Sequence, residues 1–516
     1  MSTTEALLAG GGGGEKRRRR VSIDEALAWH AGEFGRWQLR HFVLVSSAWL
    51  LEALHTMVII FADREPAMVC AAPDGRCGDR CGGGGGGGGG WEWVGGPASS
   101  TVAEFGLVCG ERYKVGLVQA IFFAGCMIGA GVFGHLSDSF LGRKGSLQVV
   151  CLLNGVFGIL TALSPNYWAY AALRLLTGFS AGSVGLCSFV LATEPVGPSR
   201  RGAAGMSTFY FFSAGIAALA GVAAALSHSS SWRALYVVTS LPSLAFVATV
   251  LPFVSESPRW FLVRRRADDA LRVVRDIAAG NGRCVPDDFT LKLDDEGEED
   301  HKDVVDSSAT ATGSIVDVFR SRTTRFRLVL SVVINLLASV VYYGLSLNVV
   351  NLKTNLYVSV VVNSLAEMPA YLLTALLLDR FGRKPLAIGT MLLSGVFCSA
   401  GSLIPGAGPM RVARLACGVV GIFGMAATYN LLFIYTAELF PTAVRNAALG
   451  CTSQASQMGA ILAPLVVVLG ERVPFALFGV SGLIGGFLVF CLPETKNKPM
   501  YDTMAGLEEG EKSLLK

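Results

Sequence analysis

The residues of this sequence best placed to do chemistry are ionisable side chains inside long apolar runs. An ionised group at the centre of a membrane-length helix costs roughly 2.5–3.5 kcal/mol on the insertion scale, so each one needs a reason to be there. Glu52 lies near the middle of the run 38–61, with Trp49 three residues before it and Thr56 four after, on one helical face, and His55 beside them. Its carboxylate can balance an ammonium group or carry a proton, or it can pair structurally with Arg174 in a later run. Asn363, Glu367, Tyr371 and Thr374 recur at intervals of four, four and three, which puts amide, carboxylate, phenol and hydroxyl on one face of a helix. Asn335, Ser339, Tyr342 or Tyr343, and Ser346 form a similar stripe in the preceding run, and Gln454 and Gln457 a shorter one near the end. Such stripes must face a cavity or another helix. A carboxylate beside tyrosine rings suits an organic cation, because cation–π attraction adds about 0.5–2 kcal/mol to the ionic contact. For Tyr342 and Tyr343 the ordinary alternative is packing.

The elements that position these groups follow from composition. Of 516 residues 52% are hydrophobic and only 16% charged, and mean hydropathy is +0.50, a balance foreign to soluble proteins. Apolar windows fall at 38–61, 113–134, 146–163, 168–191, 204–226, 232–254, 327–350, 355–378, 385–404, 411–436, 447–469 and 474–492. Each is close to the roughly 20 residues that cross a bilayer as a helix. The expected protein is all-α and polytopic, with two groups of six spans: an N-terminal bundle at 38–254, a linker at 255–326, a C-terminal bundle at 327–492, and tails at 1–37 and 493–516. The first tail, with five glycines and the basic run Lys16-Arg17-Arg18-Arg19-Arg20, reads as disordered and not as a cleaved signal peptide.

The halves repeat. Asp138, Gly142, Arg143 and Lys144 between spans two and three return as Asp379, Gly382, Arg383 and Lys384 between spans eight and nine. Arg174 matches Arg414, Glu194 matches Glu438 and Glu256 matches Glu494, all at offsets of 238 to 244 residues. Arg201 and Arg445 each follow the paired glutamate by seven residues, and Arg259 follows Glu256. A duplicated six-span unit is the arrangement of carriers that rock two halves about a central site. The glycines permit tight turns, and the acidic and basic pairs can form charge-assisted bonds that latch one state at the cytoplasmic mouth. The plainer reading is that these Arg and Lys only obey the positive-inside rule.

Eight Lys/Arg on short loops of one side against four on the other place both termini in the cytosol. The loop 62–112 then lies outside it, and its Cys70, Cys77, Cys81 and Cys109 are disulfide candidates in any of three connectivities, interrupted by polyglycine at 82–90. No zinc-type spacing occurs, so neither metal nor cofactor is expected. In the linker, Ala267, Ala270, Leu271, Val274 and Ile277 keep the period of an amphipathic helix. The acidic run 294–300 reads as solvated linker, and Ser307, Ser308 and Thr310 are candidate phosphoacceptors. A net charge of +4 argues against nucleic acid as a partner. Without a GxxxxGK[ST] loop, nucleotide-driven pumping is disfavoured, and no constellation points to an enzyme.

At these residues the sequence resembles the major facilitator superfamily over essentially all of its membrane part. The doubled Gly-Arg-Lys loop, Glu256-Ser-Pro-Arg-Trp260 and Pro493-Glu494-Thr495 carry the likeness. Trp91-Glu-Trp, Glu104-Phe-Gly-Leu-Val-Cys109, Tyr342-Tyr343-Gly344 and Glu438-Leu-Phe-Pro-Thr-Ala-Val-Arg445-Asn446 look like the organic cation/carnitine transporters of the plant type. The sugar-porter glutamine motif of span seven is replaced by Ile334-Asn-Leu-Leu-Ala-Ser-Val340, and no Asn-x-Ser/Thr sequon occurs. The resemblance implies a monomeric secondary carrier of small organic cations or zwitterions such as carnitine, working by alternating access. Protons are a candidate coupling ion, and the plasma membrane is favoured over the vacuolar one. A proton-coupled sugar or polyol porter, or a non-transporting receptor or scaffold on the same fold, are the alternatives.

Overall fold

Apolar runs of this length leave the backbone one solution in a bilayer, the helix, whose hydrogen bonds close within each segment. The computed structural model describes residues 19–70, 91–229, 231–286, 289–291, 315–496 and 507. Among the described residues, ten helical stretches are long and apolar enough to cross a membrane. Six belong to the first half: Arg36–Ala62, Cys109–Asp138, Gly142–Ala162, Tyr167–Thr193, Pro198–Ala225 and Trp232–Phe253. Four belong to the second: Arg322–Leu352, Leu356–Leu378, Arg383–Leu403 and Met410–Leu439. Thr442–Val467, with Ser453, Gln454, Ser456 and Gln457, and the 17-residue Val473–Val489 complete twelve. The protein is therefore a multi-pass membrane protein of six plus six helices.

Local chemistry sets the helix ends. Asn166 accepts from the Ala169 N–H at 2.9 Å and Asn355 from the Val358 N–H at 3.2 Å, each capping a span. Pro198 opens the fifth span from the first helical turn. The seventh begins at Arg322, earlier than its apolar window, because Arg322, Arg325 and Arg327 continue the helix beyond the hydrophobic stretch. Each half has its own apolar core, the second centred on residues such as Ile334, Met391, Ile422 and Phe478. At the seam the fifth span packs on the eighth and the second on the eleventh.

Within the tail expected to be disordered, the described residues form regular structure. Arg19–Val21 pairs in parallel with Phe289–Leu291. Behind it, Val21, Ile23 and Leu27 pack on Val274 and Ile277 of the amphipathic helix Ala267–Gly280. That helix buries Ala270, Val273, Val274, Ile277 and Ala278, a face turned slightly from the expected one, with Ala267 exposed. Strands of three residues leave too short a pattern to read in sequence. In the long loop, Met68–Cys70 pairs antiparallel with Trp91–Trp93, and Cys70 and Cys109 are each disulfide-bonded. Cys77, Cys81, the polyglycine, the acidic run, Ser307, Ser308 and Thr310 lie outside the described residues.

Candidate functional site

The polar stripe of the eighth span faces protein on every side: Asn363, Glu367, Tyr371 and Thr374 are all buried, while Leu365, Leu372 and Leu376 of the same helix are exposed to the lipid side. Glu367 collects its partners from three helices. Its Oε2 accepts from Ser213 Oγ of the fifth span at 2.5 Å, Tyr371 Oη at 3.2 Å and Tyr342 Oη of the seventh at 3.3 Å. The carboxylate thus sits on the seam between the halves with hydroxyls, and among the described residues no cationic side chain, bonded to that oxygen.

Aromatic rings extend this point in two directions. Tyr342 stacks on Tyr429 with centroids 5.1 Å apart, and Tyr343 meets Phe123 of the first half edge-on at 4.8 Å. On the other side Tyr371 touches Phe209 at 6.0 Å and Tyr210 at 5.6 Å, and Phe209 meets Trp49 at 5.3 Å. Trp49 leads back to Glu52, which lies against Gly185 of the fourth span and within electrostatic reach of Tyr343 and Tyr429. Glu52 Oε2, Trp49 Nε1 and both ring nitrogens of His55 are buried without a hydrogen-bond partner among the described residues. A buried polar atom left unpaired costs about 1–3 kcal/mol, so these atoms are the most poorly satisfied part of the cluster.

The pairing of Glu52 with Arg174 is not formed in this structure. Arg174 instead donates to the His55 carbonyl at 3.1 Å and to Gln119 Oε1 at 2.9 Å, with its guanidinium 4.1 Å from the Phe122 ring centroid. Gln454 and Gln457 are not drawn into the cluster: Gln454 is exposed in line with Met458 and Leu462, and Gln457 is half-buried beside it. Ser339 of the seventh span instead bonds the Ser456 carbonyl at 2.6 Å. A cavity of about 1020 Å³ opens nearer the end of the bundle that bears the long loop, lined by Asp63, Gln119, Asn351, Lys353 and Glu471 among others, and by none of the expected substrate residues.

The charged landmarks form two copies of one device. In the first half, Glu256 accepts from the backbone N–H groups of Arg143 at 3.0 Å and Lys144 at 3.1 Å, and the Arg143 side chain bonds Asp138 and, at 3.2 Å, Glu194. In the second, Glu494 accepts from the N–H groups of Arg383 and Lys384, both at 3.0 Å, and Arg383 pairs with Glu438 at 2.9 Å. Each carboxylate sits at the exposed N–H end of a helix, where orphan donors and the helix dipole favour negative charge. These bonds run within a half. The side chain of Asp379 lies outside the described residues, and Arg445 is half-buried in the first turn of the eleventh span.

Arg201 and Arg259 both donate to Asp24 of the N-terminal segment, Arg201 at 2.5 Å. Arg414 pairs with Glu471 at 3.3 Å. Arg174 and Arg414 therefore stand at the opposite end of the bundle from the Gly-Arg-Lys turns. Sequence reasoning missed Asp24, Ser213 and Tyr429. The aromatic run Phe209-Tyr210-Phe211-Phe212 directly before Ser213 was a usable signal; a lone serine or tyrosine in an apolar span is not.

Burial drives the Glu256 carboxylate above the ordinary carboxylate range, only partly opposed by the N–H bonds from Ser257, Lys144 and Arg143. At Glu494 burial pushes the same way, but N–H bonds from Lys496, Arg383, Lys384 and Thr495 outweigh it and hold the group below that range. The repeat has kept the geometry and reversed the electrostatic outcome.

The model of the sugar (and other) transporter family matches residues 96–505. Organic cation/carnitine transporter 4 of Arabidopsis thaliana is 62% identical over 95% of this chain and 92% of its own length. Organic cation/carnitine transporter 2 of the same plant is 34% identical over 94% and 93%, and the organic cation transporter protein of Drosophila melanogaster 31% over 93% of each. Among solved structures, the inward open xylose transporter XylE from E. coli superposes with a TM-score of 0.62 at 18% identity, covering 92% of this chain and 99% of that one. Fold and charged turns define a transporter of the major facilitator type. The chain belongs to the sugar (and other) transporter family, among relatives named organic cation/carnitine transporters.

Proposed function

We propose that this protein carries small organic cations, or zwitterions with a cationic head such as carnitine, across a membrane by exposing one central site to either side in turn. The observation that carries the reading is Glu367, a buried carboxylate on the seam between the halves, solvated on one oxygen by three hydroxyls and flanked by tyrosine rings. An ammonium or quaternary nitrogen gains an ionic partner and ring faces there, and takes the place that neutral hydroxyls hold in this conformation. Glu52, with Trp49 and His55, supplies a second acidic point from the other half, for the cation or for a coupling proton. The relatives' names support the substrate class. The charged turns, bonded within each half, fit a role in keeping the two bundles rigid while they rock.

With both termini in the cytosol, the disulfide-bearing loop faces an oxidising compartment, and the plasma membrane is the site we assign. A sugar porter would want amides where this site has carboxylates and phenols, and a likeness to xylose transporters at 18% identity speaks to the fold alone. Reconstitution in proteoliposomes with a labelled quaternary ammonium, and competition by carnitine and by hexose with and without a pH gradient, tests the reading. Saturable uptake blocked by carnitine and indifferent to hexose is expected; hexose competition, or no saturable uptake, would overturn it.

A further inference from the structure

The transport reading leaves unused the basic run at the N-terminal side and the serine that follows it. Lys16, Arg17, Arg18, Arg19 and Arg20 lead through Val21 to Ser22, and Ile23 comes next. A serine with arginines two to five positions before it and an aliphatic residue directly after has the form that an arginine-directed serine kinase binds. Acidic pockets of such an enzyme take the guanidinium groups as charge-assisted pairs while the peptide lies extended.

In this structure Ser22 is held out of that form. Its Oγ accepts from the Glu25 N–H at 3.2 Å and its own N–H donates to Glu25 Oε2 at 3.0 Å, a reciprocal cap. Val21 and Ile23, on either side, are 4% and 3% exposed, seated with Leu27 against Val274 and Ile277. The strand Arg19–Val21 is paired with Phe289–Leu291. Two residues after the serine, Asp24 Oδ1 accepts from Arg201, in the first turn of the fifth span, and from Arg259, on the short helix after the sixth. One carboxylate thus fastens the segment to two helices of the first half.

We propose that Ser22 is a phosphorylation site for an arginine-directed serine kinase, and that modification releases residues 19–31 from the first half. Ser22 Oγ attacks the γ-phosphorus of ATP, the bond from that phosphorus to the β–γ bridging oxygen breaks, ADP leaves, and the hydroxyl proton passes to the kinase's base. The product adds a charge of about −1.5 to −2 beside the Glu25 and Asp24 carboxylates. In the docked form Arg201 and Arg259 are already engaged by Asp24, and the phosphate breaks the reciprocal cap with Glu25 and stands beside the Glu25 and Asp24 carboxylates, whose repulsion opposes the pull of Arg19, Arg20 and the helix N-terminus. The kinase needs the extended, released chain, and the phosphate disfavours its return.

The test uses full-length protein in detergent with ATP and the catalytic subunit of an arginine-directed serine kinase, beside Asp24→Asn and Ser22→Ala. Peptide mass spectrometry follows Ser22, and hydrogen exchange follows residues 19–31. Asp24→Asn, with docking weakened, is expected to be labelled several-fold faster than wild type, Ser22→Ala not at that peptide, and labelled wild type to lose amide protection over 19–31. Equal rates in wild type and Asp24→Asn, or protection unchanged or raised after labelling, overturn the proposal. So does loss of labelling in vesicles containing anionic lipid but not in neutral ones, which would assign the basic run to the membrane surface.

Discussion

Ser213 Oγ donates to Glu367 Oε2 at 2.5 Å, so a hydroxyl of the first half is bonded to a fully buried acid of the second. A hydrogen bond to a charged group contributes about 1.5–3 kcal/mol, enough to weight one arrangement of the two halves tenfold or more. On the proposed function, the contact would couple cation binding to movement of the halves. A cation drawn to Glu367 as proposed would compete with Ser213, and breaking that bond would loosen the seam between the fifth and eighth spans.

Glu367→Gln keeps the shape and hydrogen-bonding capacity of the side chain and removes its charge. Uptake of a quaternary ammonium is expected to fall at least tenfold at equal surface expression, a loss of about 1.4 kcal/mol or more in cation binding or transport. Ser213→Ala, by contrast, should keep uptake and change its half-saturation. Unchanged affinity and rate in Glu367→Gln would remove Glu367 from the cation's path.

Glu52→Gln separates two roles for its carboxylate. If Glu52 balances the cation, uptake is lost with and without a pH gradient; if it carries a coupling proton, downhill exchange survives and only gradient-driven accumulation is lost. Counterflow and pH-driven uptake in the same vesicles read the difference. Wild-type behaviour in both assays would return Glu52 to a structural role, although Arg174 is engaged by His55 and Gln119.

The polar stripe of the eighth span was legible because burial of Asn363, Glu367, Tyr371 and Thr374 follows from spacing alone: four polar groups on one face cannot all meet lipid. The duplicated turns were legible for a similar reason, since charge at a fixed offset survives where apolar residues interchange freely. Which helix faces that stripe is a long-range fact, so Ser213 and Tyr429 stayed hidden. Gln454 shows the limit of the same logic: a single amide costs little enough to ride on an exposed face beside Met458. Asp24 was invisible because its partners, Arg201 and Arg259, lie more than a hundred residues away and were read as landmarks of the charged turns, not as partners of the tail.

The two helix-capping glutamates should part company with pH. Glu494, held below the ordinary carboxylate range, contributes stability that is present above that range and lost as pH falls through its lowered value. Glu256, held above the range, favours its protonated form, so its contribution is full at low pH and is lost as pH rises through the raised value. Glu494→Gln is therefore expected to lower the thermal midpoint in detergent at neutral pH, with the gap to wild type closing in acid. Glu256→Gln should cost less at neutral pH than Glu494→Gln. Equal penalties with parallel pH profiles would show that the two copies are electrostatically alike.

The turns themselves offer a steric test of the same device. Gly142 has φ +77° and Gly382 φ +96°, where an L side chain is strained by about 1–3 kcal/mol. A Cβ on Gly382 would also stand 2.7 Å from Glu494 Oε2, and one on Gly142 would meet Glu256 Oε2. Alanine at either position thus strains the turn and displaces the carboxylate from the helix end. Each of Gly142→Ala and Gly382→Ala is expected to lower the thermal midpoint in detergent, while Gly131→Ala, on an exposed helical face with nothing within 4 Å, should be neutral or stabilising. Because part of the cost passes through the acid, Gly382→Ala combined with Glu494→Ala should cost less than the sum of the two single changes. Strict additivity would mean that turn and carboxylate act independently, and the shared role assigned to them in bracing the half would fail.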